Sequence, residues 1–426
     1  MPCSARQSIT APVASTPNDR GQDLLDGARA MRSGPSWLAR LWAGRGEALV
    51  ERINAGLTAG TLHAVLPDGS RRTLGGHAPG FEAQVHLHRW RGLLRMATAG
   101  SVGVYQGWDA GDWSSPDPAT LFALFVANSA PLGGTARAHG PWRWLGRLLH
   151  LLRRNSRSGS RRNIHAHYDL GNDFYAAWLD PDMVYSSARF ATGAADLAAA
   201  QQHKLATFAG RVAGAASVLE IGCGWGALAQ RLHEGGAAVT AISLSDQQLD
   251  WARARRDAAI DFRNQDYRDV TGQFDAIVSA EMVEAVGQRY WPDFFDCLTR
   301  NLKPGGRAAI QYIVIRDDLF SAYAASADFI QTYVFPGGML VSEAAFRRLA
   351  AERGLEWCDP ESFGTDYAET LRLWRERFDA TVDAGRLPAG FDARFVRLWL
   401  FYLLYCEGGF RGGGIDVRQV TLVKPA

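Results

Sequence analysis

Residues 218–226 read Val-Leu-Glu-Ile-Gly-Cys-Gly-Trp-Gly, an apolar run that breaks into three closely spaced glycines before a segment of helical character. Glycine is favoured where the backbone turns sharply and lies close to a ligand, because no Cβ stands in the way. A strand, a glycine turn and a helix in this order are typical of a nucleotide-binding corner. Glu220 at the end of the strand is typical of S-adenosylmethionine (SAM) sites and not of dinucleotide sites. The stretch therefore predicts a methyltransferase; the alternative is a glycine-rich turn without a ligand.

The composition predicts a globular protein with two or three domains. The chain has 426 residues, of which 47% are hydrophobic and 21% are charged, so it can bury a large core. Its 14 tryptophans offer large surfaces for burial or for contact with apolar ligands. The net charge of only +2 gives no bulk positive field, which argues against a nucleic-acid partner.

The cysteines and the apolar runs indicate a cellular compartment. The five cysteines are scattered and show neither a metal-ligand spacing nor a disulfide framework, which favours a reducing compartment and no metal site. The N-terminus lacks the apolar stretch of a signal peptide. The most hydrophobic run, residues 398–406, is far too short to span a bilayer. We therefore expect a cytoplasmic protein.

The first third of the chain divides by composition. Residues 1–35 are rich in Ala, Ser, Pro and Gly and are predicted to be disordered. Residues 36–136 are predicted to form a small α+β domain. Its predicted elements are a helix over 37–53, strands over 60–66, 83–87 and 103–105, a turn at 67–69 and a helix over 117–128.

Residues 137–162 form a basic linker. Residues 141–154 read Pro-Trp-Arg-Trp-Leu-Gly-Arg-Leu-Leu-His-Leu-Leu-Arg-Arg, and Ser, Gly and Arg dominate the next eight residues. Arginines combined with Trp and Leu on another face are typical of a helix that lies in a membrane interface. A linker helix packed on its own protein explains the pattern equally well, and the sequence leaves both open.

From residue 163 onward, strands alternate with helices, which predicts a parallel sheet covered on both faces. The predicted strands are 218–221, 238–243, 260–263, 274–279 and 307–315. The predicted helices include 246–256 and 291–302. The Lys-Pro-Gly-Gly sequence at 303–306 is expected to stop the second of these helices and to start a turn.

Residues 163–426 resemble the cyclopropane-fatty-acyl-phospholipid synthases and the mycolic acid cyclopropane synthases. The motifs that carry the resemblance are His-Ala-His-Tyr-Asp-Leu-Gly-Asn-Asp-Phe-Tyr at 165–175, Met-Val-Tyr-Ser-Ser-Ala at 183–188, Gln-Gln-His-Lys-Leu at 201–205, the glycine stretch, Gln-Asp-Tyr-Arg-Asp at 265–269, Val-Ser-Ala-Glu-Met-Val-Glu-Ala-Val-Gly at 278–287, Phe-Pro-Gly-Gly at 335–338, Phe410-Arg411 and Ile415-Asp416. The resemblance implies a Rossmann-like SAM-dependent methyltransferase domain, with a seven-strand doubly wound sheet and helical insertions that form an acyl tunnel. The preceding domain is similar to the N-terminal domain of long bacterial members, which suggests a lipid-binding module.

The resemblance also assigns the cofactor site. Tyr168, Tyr185 and Ser186 are expected to close over SAM. Ser243 and Gln248 are the candidates for the ribose, although Gln248 on a solvated helix face is the alternative. Asp266 and Tyr267 are expected at the adenine, and the backbone of Ala280 is expected to line the same pocket. The complete set of expected cofactor-binding residues is Tyr168, Tyr185, Ser186, Glu220, Gly222, Cys223, Gly224, Gly226, Ser243, Leu244, Gln248, Asp266, Tyr267 and Ala280.

The methyl acceptor in this family is a carbon–carbon double bond of an acyl chain. An alkene is a poor nucleophile, so the methyl group must be held in line with it in a dry tunnel. Methyl transfer leaves a carbocation, which aromatic faces and a carboxylate can stabilise. Glu284 matches the family's active-site glutamate. The resemblance further implies a bicarbonate ion as base, held by a Glu, a Tyr, a His and backbone groups.

The chain matches this bicarbonate cage only in part. Glu284, Tyr367 and Ile313 match, whereas Ser187 stands at the Cys position and Gln311 at the His position. Glutamine can donate a hydrogen bond but cannot become a cation beside an anion. The family contact at the Ser187 position is through the backbone, so it is Gln311 that argues against bicarbonate and against ring closure and favours a methyl-branched or methylene lipid. The alternative is that Gln311 still binds bicarbonate and the product is a cyclopropane.

We therefore expect a SAM-dependent C-methyltransferase that acts on unsaturated acyl chains of phospholipids and associates peripherally with the inner face of the membrane. Whether it forms a homodimer stays open. Two rivals remain, a small-amine N-methyltransferase and a non-catalytic lipid-binding relative. The residues expected to line the acyl tunnel are Trp291, Phe320, Tyr323, Phe329, Tyr333, Phe335, Phe401 and Tyr402.

Overall fold

The structure, a computed structural model, describes residues 20–26, 43–133, 170–190, 196–326 and 328–426. The basic linker and Tyr168 lie outside these described residues. So do residues 1–19 and 27–35 of the segment predicted to be disordered. Residues 20–26 depart from that expectation, because they include the short helix α1 (Gln22–Asp26), in which Leu24 and Leu25 are buried.

A four-stranded sheet precedes the larger one, with strand order β2-β1-β3-β4. Its strands are β1 (Thr61–Val65), β2 (Arg71–Gly75), β3 (Glu82–Leu87) and β4 (Trp113–Ser114). The helices of this part are α2 (Ala43–Gly56), α3 (Arg91–Asp109), α4 (Pro118–Ala127) and α5 (Ser129–Leu132). The turn predicted at 67–69 joins β1 to β2, where Gly69 N donates to the carbonyl of Leu66 at 2.9 Å. Alternate residues of β1, Leu62 and Ala64, are buried.

The strand predicted at 103–105 is wrong, because these residues lie in α3. The helix kinks at Gly100, which has a φ of 58° that favours glycine. The second half then packs against the first, and a Cβ at Gly103 would lie 1.9 Å from the carbonyl oxygen of Arg95. The pattern at 103–105 that predicted a strand therefore reflects close packing between the two halves of α3.

The larger sheet has seven strands in the order β10-β11-β9-β8-β5-β6-β7, which confirms the predicted doubly wound fold. Its strands are β5 (Ser217–Ile221), β6 (Ala238–Ser243), β7 (Asp261–Asn264), β8 (Phe274–Ala280), β9 (Leu302–Ile315), β10 (Glu356–Ser362) and β11 (Ile415–Val423). The strands β5 to β9 run parallel, whereas β11 is antiparallel to both of its neighbours. The turn expected at 303–306 is instead part of β9, which starts at Leu302 with a register shift against β8.

Helices cover the larger sheet and form the insertions. They are α6 (Asn172–Ala176), α7 (Leu197–Gly210), α8 (Ala227–Glu234), α9 (Asp246–Arg255), α10 (Trp291–Asn301), α11 (Asp317–Ala324), α12 (Glu343–Ala351), α13 (Gly364–Asp383) and α14 (Ala393–Arg411). A π-helix spans Ile330–Val334. The predicted helices at 246–256 and 291–302 are confirmed to within a residue as α9 and α10. No helix in the described part of the chain combines the length and the apolar character that a bilayer span requires.

The small sheet and the insertion helices share one hydrophobic core. Helices α4 and α14 approach each other closely through glycines, since a Cβ at Gly408 would lie 2.4 Å from the Cβ of Phe122. The rings of Phe122 and Phe401 meet with centroids 5.4 Å apart. This packing places the inner face of the small sheet next to the helices that follow β9.

Candidate functional site

The glycine turn after β5 has the geometry that the sequence predicted. Gly222, Gly224 and Gly226 all have positive φ values, of 83°, 53° and 76°. A Cβ at Gly222 would strike Met282 at 2.7 Å, and one at Gly226 would strike Phe262 at 2.8 Å. A Cβ at Gly224 would meet only the Gln248 amide, at 4.0 Å. The turn thus packs tightly at Gly222 and Gly226 and leaves open space above Gly224.

That space belongs to a cavity of about 660 Å³. The expected cofactor residues that line it are Tyr185, Ser186, Glu220, Gly222, Cys223, Gly224, Ser243, Leu244, Gln248, Tyr267 and Ala280. Glu284, Ile313 and Tyr367 line it as well. Gly226, Asp266, Ser187 and Gln311 do not line it, and the last two instead bond to a residue that does. Most of the predicted site is therefore brought together around a single space.

Two polar side chains near the end of β6, Ser243 and Gln248, line the cavity and are suited to a ligand with hydroxyl groups. Ser245 caps α9 by accepting from the backbone of Gln248 at 3.4 Å. The hydroxyl of Ser243 donates to Gln248 Oε1 at 3.3 Å. Gln248 is 3% exposed, so the alternative of a solvated helix face is excluded.

Asp266 does not line the cavity, and its expected contact with adenine stays a prediction. Its carboxylate accepts from the backbone and the guanidinium of Arg268, and the ion pair measures 2.5 Å. Arg268 is only two residues from Asp266 in the sequence, and the salt bridge between them lies within one turn. Tyr267 and Gln265 line the cavity in its place.

The glycine corner carries a buried carboxyl group suited to a cationic ligand. Glu220 is 4% exposed, and its Oε2 has no hydrogen-bond partner among the described residues. Burial raises the pKa of Glu220 to about 8, although the buried Lys204 opposes this shift. Lys204 donates to the hydroxyl of Ser186 at 2.8 Å. SAM carries a sulfonium and an ammonium, so the orphaned oxygen and the open space above Gly224 fit this cofactor.

Glu281, to which the sequence analysis gave no role, lies at the centre of the predicted cage. Its Oε1 accepts from the backbone N of Ser187 at 2.9 Å and from Gln311 Nε2 at 2.6 Å. Its Oε2 accepts from the Tyr367 hydroxyl at 2.7 Å. The signal that could have found it is its position directly after β8, because ligands of α/β folds bind at the carboxyl ends of strands.

Glu284 lies beside Glu281 on the same cavity wall. Its Oε1 accepts from the backbone N of Ile313, and its Oε2 is buried without a partner among the described residues. Burial, and secondly the neighbouring carboxylate of Glu281, raise the pKa of Glu284 to about 8. A cation that bound here would favour the ionised form of both groups.

Aromatic side chains line the same cavity as the two carboxyl groups. The hydroxyls of Tyr185 and Tyr402 are 2.9 Å apart, and the ring of Tyr185 packs 5.4 Å from that of Trp374. Of the residues expected in the acyl tunnel, Tyr323, Phe335 and Tyr402 line the cavity. The other five do not line it: Trp291, Phe320, Phe329, Tyr333 and Phe401. Phe329, Tyr333 and Phe401 pack against Tyr105 as ordinary core.

Known proteins resemble this chain in sequence and in fold. The family described as mycolic acid cyclopropane synthetase matches residues 155–420. The chain belongs to this family. It is 39% identical over 391 residues to the tuberculostearic acid methyltransferase UfaA1 of Mycobacterium tuberculosis, covering 85% of this chain and 88% of that protein. It is 35% identical over 262 residues to the cyclopropane-fatty-acyl-phospholipid synthase of Escherichia coli K12, covering 61% of this chain and 66% of that one.

Solved structures agree with the sequence relatives. Mycolic acid cyclopropane synthase CmaA1 complexed with SAH and CTAB matches with a TM-score of 0.58 and 27% identity, over 62% of this chain and 98% of that chain. Coclaurine N-methyltransferase matches with a TM-score of 0.56 but only 17% identity, over 76% of this chain and 98% of that one, which shows a shared fold alone. The chain is a SAM-dependent methyltransferase of the cyclopropane synthase family that methylates or cyclopropanates unsaturated acyl chains.

Proposed function

We propose that this enzyme C-methylates the double bond of an acyl chain in a phospholipid and releases a methyl-branched or methylene chain instead of a cyclopropane. One observation carries the proposal. Three groups that the resemblance assigns to a bicarbonate cage, at Ser187, Gln311 and Tyr367, already donate to the carboxylate of Glu281. The similarity to a relative that is named a methyltransferase supports the same product class.

The residues that line the cavity indicate how SAM would be bound. SAM supplies an electrophilic methyl group when it is bound. Glu220 and the glycine turn would hold its charged end, and Ser243 with Gln248 would bind its ribose hydroxyls. Tyr185 and Ser186 would cover it, and Tyr267 with the backbone of Ala280 would line the adenine side. Glu284 would face the reacting double bond and stabilise positive charge there.

Lipid analysis tests the product. A host whose own lipids lack branched and cyclopropane chains is made to express the protein and is fed methyl-labelled methionine. We expect labelled lipids whose mass rises by one CH2 and which retain one double bond, as ozonolysis or hydrogenation reveals. A labelled cyclopropane as the main product, with strong stimulation of the purified enzyme by bicarbonate, would contradict the proposal.

We also propose that residues 36–136 contribute to lipid binding. Leu62, Ala64 and Leu74 of the small sheet and Leu121 of α4 line the same cavity as the glycine turn. An acyl chain longer than the active-site region could extend between this sheet and its helices. Ala64→Phe should lower turnover of long acyl chains more than that of short ones. Equal effects on both chain lengths would contradict this role.

Peripheral attachment to the inner face of the membrane belongs to the same proposal. The arginines of residues 141–162 would bind anionic headgroups while the cavity takes up a single chain. Whether the protein acts as a homodimer is a separate question that analytical ultracentrifugation answers.

The two rival functions are less well supported. The long apolar cavity exceeds what a small amine requires, and the likeness to an N-methyltransferase extends to the fold alone. A decayed lipid-binding relative need not keep an orphaned Glu220 beside two clustered carboxyl groups.

A further inference from the structure

We propose that Glu281 is the base of the reaction, a carboxylate of the protein that occupies the place that the resemblance gives to bicarbonate. The inference rests on the proposed function and names the residue that removes the proton. Glu281 lines the cavity beside Glu284, so its carboxylate is close to the space where the double bond must lie.

The hydrogen bonds at Glu281 are those expected for a bound anion. Three donors converge on its two oxygens, from the loop at Ser187, from β9 at Gln311 and from α13 at Tyr367. These elements are far apart in the chain, and a donor from each converges on this carboxylate. Donors that point at an oxyanion favour its charged form, so the site is built for a negative charge that the protein itself supplies.

The amide of Gln311 is oriented by a second layer of hydrogen bonds. Gln419 Nε2 donates to Gln311 Oε1 at 2.9 Å, which leaves Gln311 Nε2 to donate to Glu281. Arg211 in turn donates to Gln419 Oε1 at 3.1 Å. Glutamine at this position is therefore explained by Glu281, to which it supplies a donor of fixed orientation.

The backbone of Glu281 gives independent support. Its φ of 50° lies in the left-handed region, which costs a non-glycine residue about 1 kcal/mol or more. The three hydrogen bonds of its side chain and the bond from its own N to the carbonyl of Gln311 at 2.8 Å hold it there. Strain of this kind is retained mainly where the side chain serves a function.

The two carboxyl groups differ in the hydrogen bonds that they accept. Burial raises the pKa of Glu281, but its three donors and Lys204 oppose that shift. The carboxylate of Glu284 accepts from the backbone N of Ile313, and its pKa rises to about 8. Neighbouring carboxyl groups in different environments commonly divide acid–base roles, and here the carboxylate on which three donors converge is Glu281.

The proposed step balances without a further reagent. The alkene carbon bonds to the methyl group as the C–S bond breaks, and that electron pair leaves with S-adenosylhomocysteine. The positive charge on the adjacent carbon is lost when Glu281 takes a proton from a neighbouring carbon, and the C–H electron pair becomes a new double bond. The product is methylated and keeps one double bond, and Glu281 returns its proton to solvent.

Two variants of Glu281 test the assignment. Glu281→Gln keeps the shape but removes the base, so turnover should fall roughly 10²- to 10⁴-fold while the affinity for S-adenosylhomocysteine, measured by calorimetry, stays within a few-fold. Glu281→Gly also opens the cage and relieves the backbone strain. Asp359→Gly is the matched control, because Asp359 is exposed, has a φ of 48° and should keep full turnover.

Bicarbonate provides a readout that does not depend on turnover. ¹³C-labelled bicarbonate should show binding to Glu281→Gly by NMR and none to the wild type or to Asp359→Gly. Added bicarbonate should raise the turnover of Glu281→Gly at least tenfold and leave the wild type unchanged. Lack of ¹³C-bicarbonate binding or of rescue in Glu281→Gly would overturn the claim that the carboxylate fills an ion site.

The outcomes separate this inference from the proposed function. Full activity of both Glu281 variants overturns the inference, even if the wild type makes a methyl-branched chain. A cyclopropane made by the wild type without bicarbonate overturns the proposed product, while inactivity of Glu281→Gln would still support the base.

Discussion

At the scale of single residues, the proposed cofactor site includes the open space above Gly224. A side chain there would project into the cavity that the described residues leave free, and its φ of 53° disfavours any other residue. We expect Gly224→Val to weaken binding of S-adenosylhomocysteine at least tenfold in calorimetry. Gly236→Val is the control, because its φ is also positive and nothing lies within 4 Å of its Cβ. Equal binding by Gly224→Val and wild type would move the site elsewhere.

Glu284 should be essential whatever the product. Its carboxylate would stabilise charge that exists only after methyl transfer begins, so it acts on the transition state. Glu284→Gln should lower turnover roughly 10²-fold or more, the scale of losing one such group, with a small effect on S-adenosylhomocysteine binding. A purely structural role would instead lower the stability of the variant and leave the turnover of its folded fraction intact.

The raised pKa values also predict how stability depends on pH. Glu220 and Glu284 have pKa values of about 8 in the folded protein, against the ordinary 4.5. Between these values the folded state holds protons that the unfolded chain has released, so the free energy of unfolding falls as pH rises. Each group contributes a slope of at most about 1.4 kcal/mol per pH unit. Urea unfolding at pH 5.5 to 7.5 should show this fall, and Glu284→Gln should make it shallower; an unchanged slope would contradict the pKa assignment.

At the scale of elements, the contact between α4 and α14 joins the small sheet to the catalytic part. A Cβ at Gly408 would lie 2.4 Å from Phe122 and 2.8 Å from the carbonyl of Ala119. Gly408→Ala should therefore destabilise the protein by about 1–3 kcal/mol in denaturant titrations. Gly210→Ala, in a helix with nothing within 4 Å, should be neutral or slightly stabilising. Equal denaturation midpoints for the two variants would mean that α4 and α14 can move apart to accommodate the new methyl group at little free-energy cost.

At the scale of the whole molecule, membrane attachment is expected to depend on the basic linker. Six arginines lie in residues 141–162 outside the tryptophan-rich start: Arg147, Arg153, Arg154, Arg157, Arg161 and Arg162. Each contributes roughly 1 kcal/mol near an anionic surface, and salt screens the attraction. Replacing all six by Gln should abolish most co-sedimentation with anionic vesicles, and wild-type binding should fall with salt. Unchanged binding of the variant would favour a linker packed on the protein.

The sequence by itself determined the fold class and five strands of the larger sheet, whereas the seven-strand count and most of the proposed cofactor residues came from the family resemblance. The fold class depends on local patterns: an apolar run, closely spaced glycines and a strand–helix alternation that a parallel sheet satisfies. The sequence predicted the departures at Ser187 and Gln311, because motif positions are visible in a linear chain. It missed the strand-to-helix change at 103–105, where close packing against Arg95 prevailed over local pattern.

Only the tertiary structure decided what the altered positions do. The role proposed for Glu281 depends on three donors from separate elements and on its backbone φ angle, and neither can be read from the sequence. Likewise, Asp266 forms a salt bridge with Arg268, and burial raises the pKa of Glu284. Side-chain direction, burial and long-range hydrogen bonding arise when distant segments pack together, so the chemistry of this site was settled at that level.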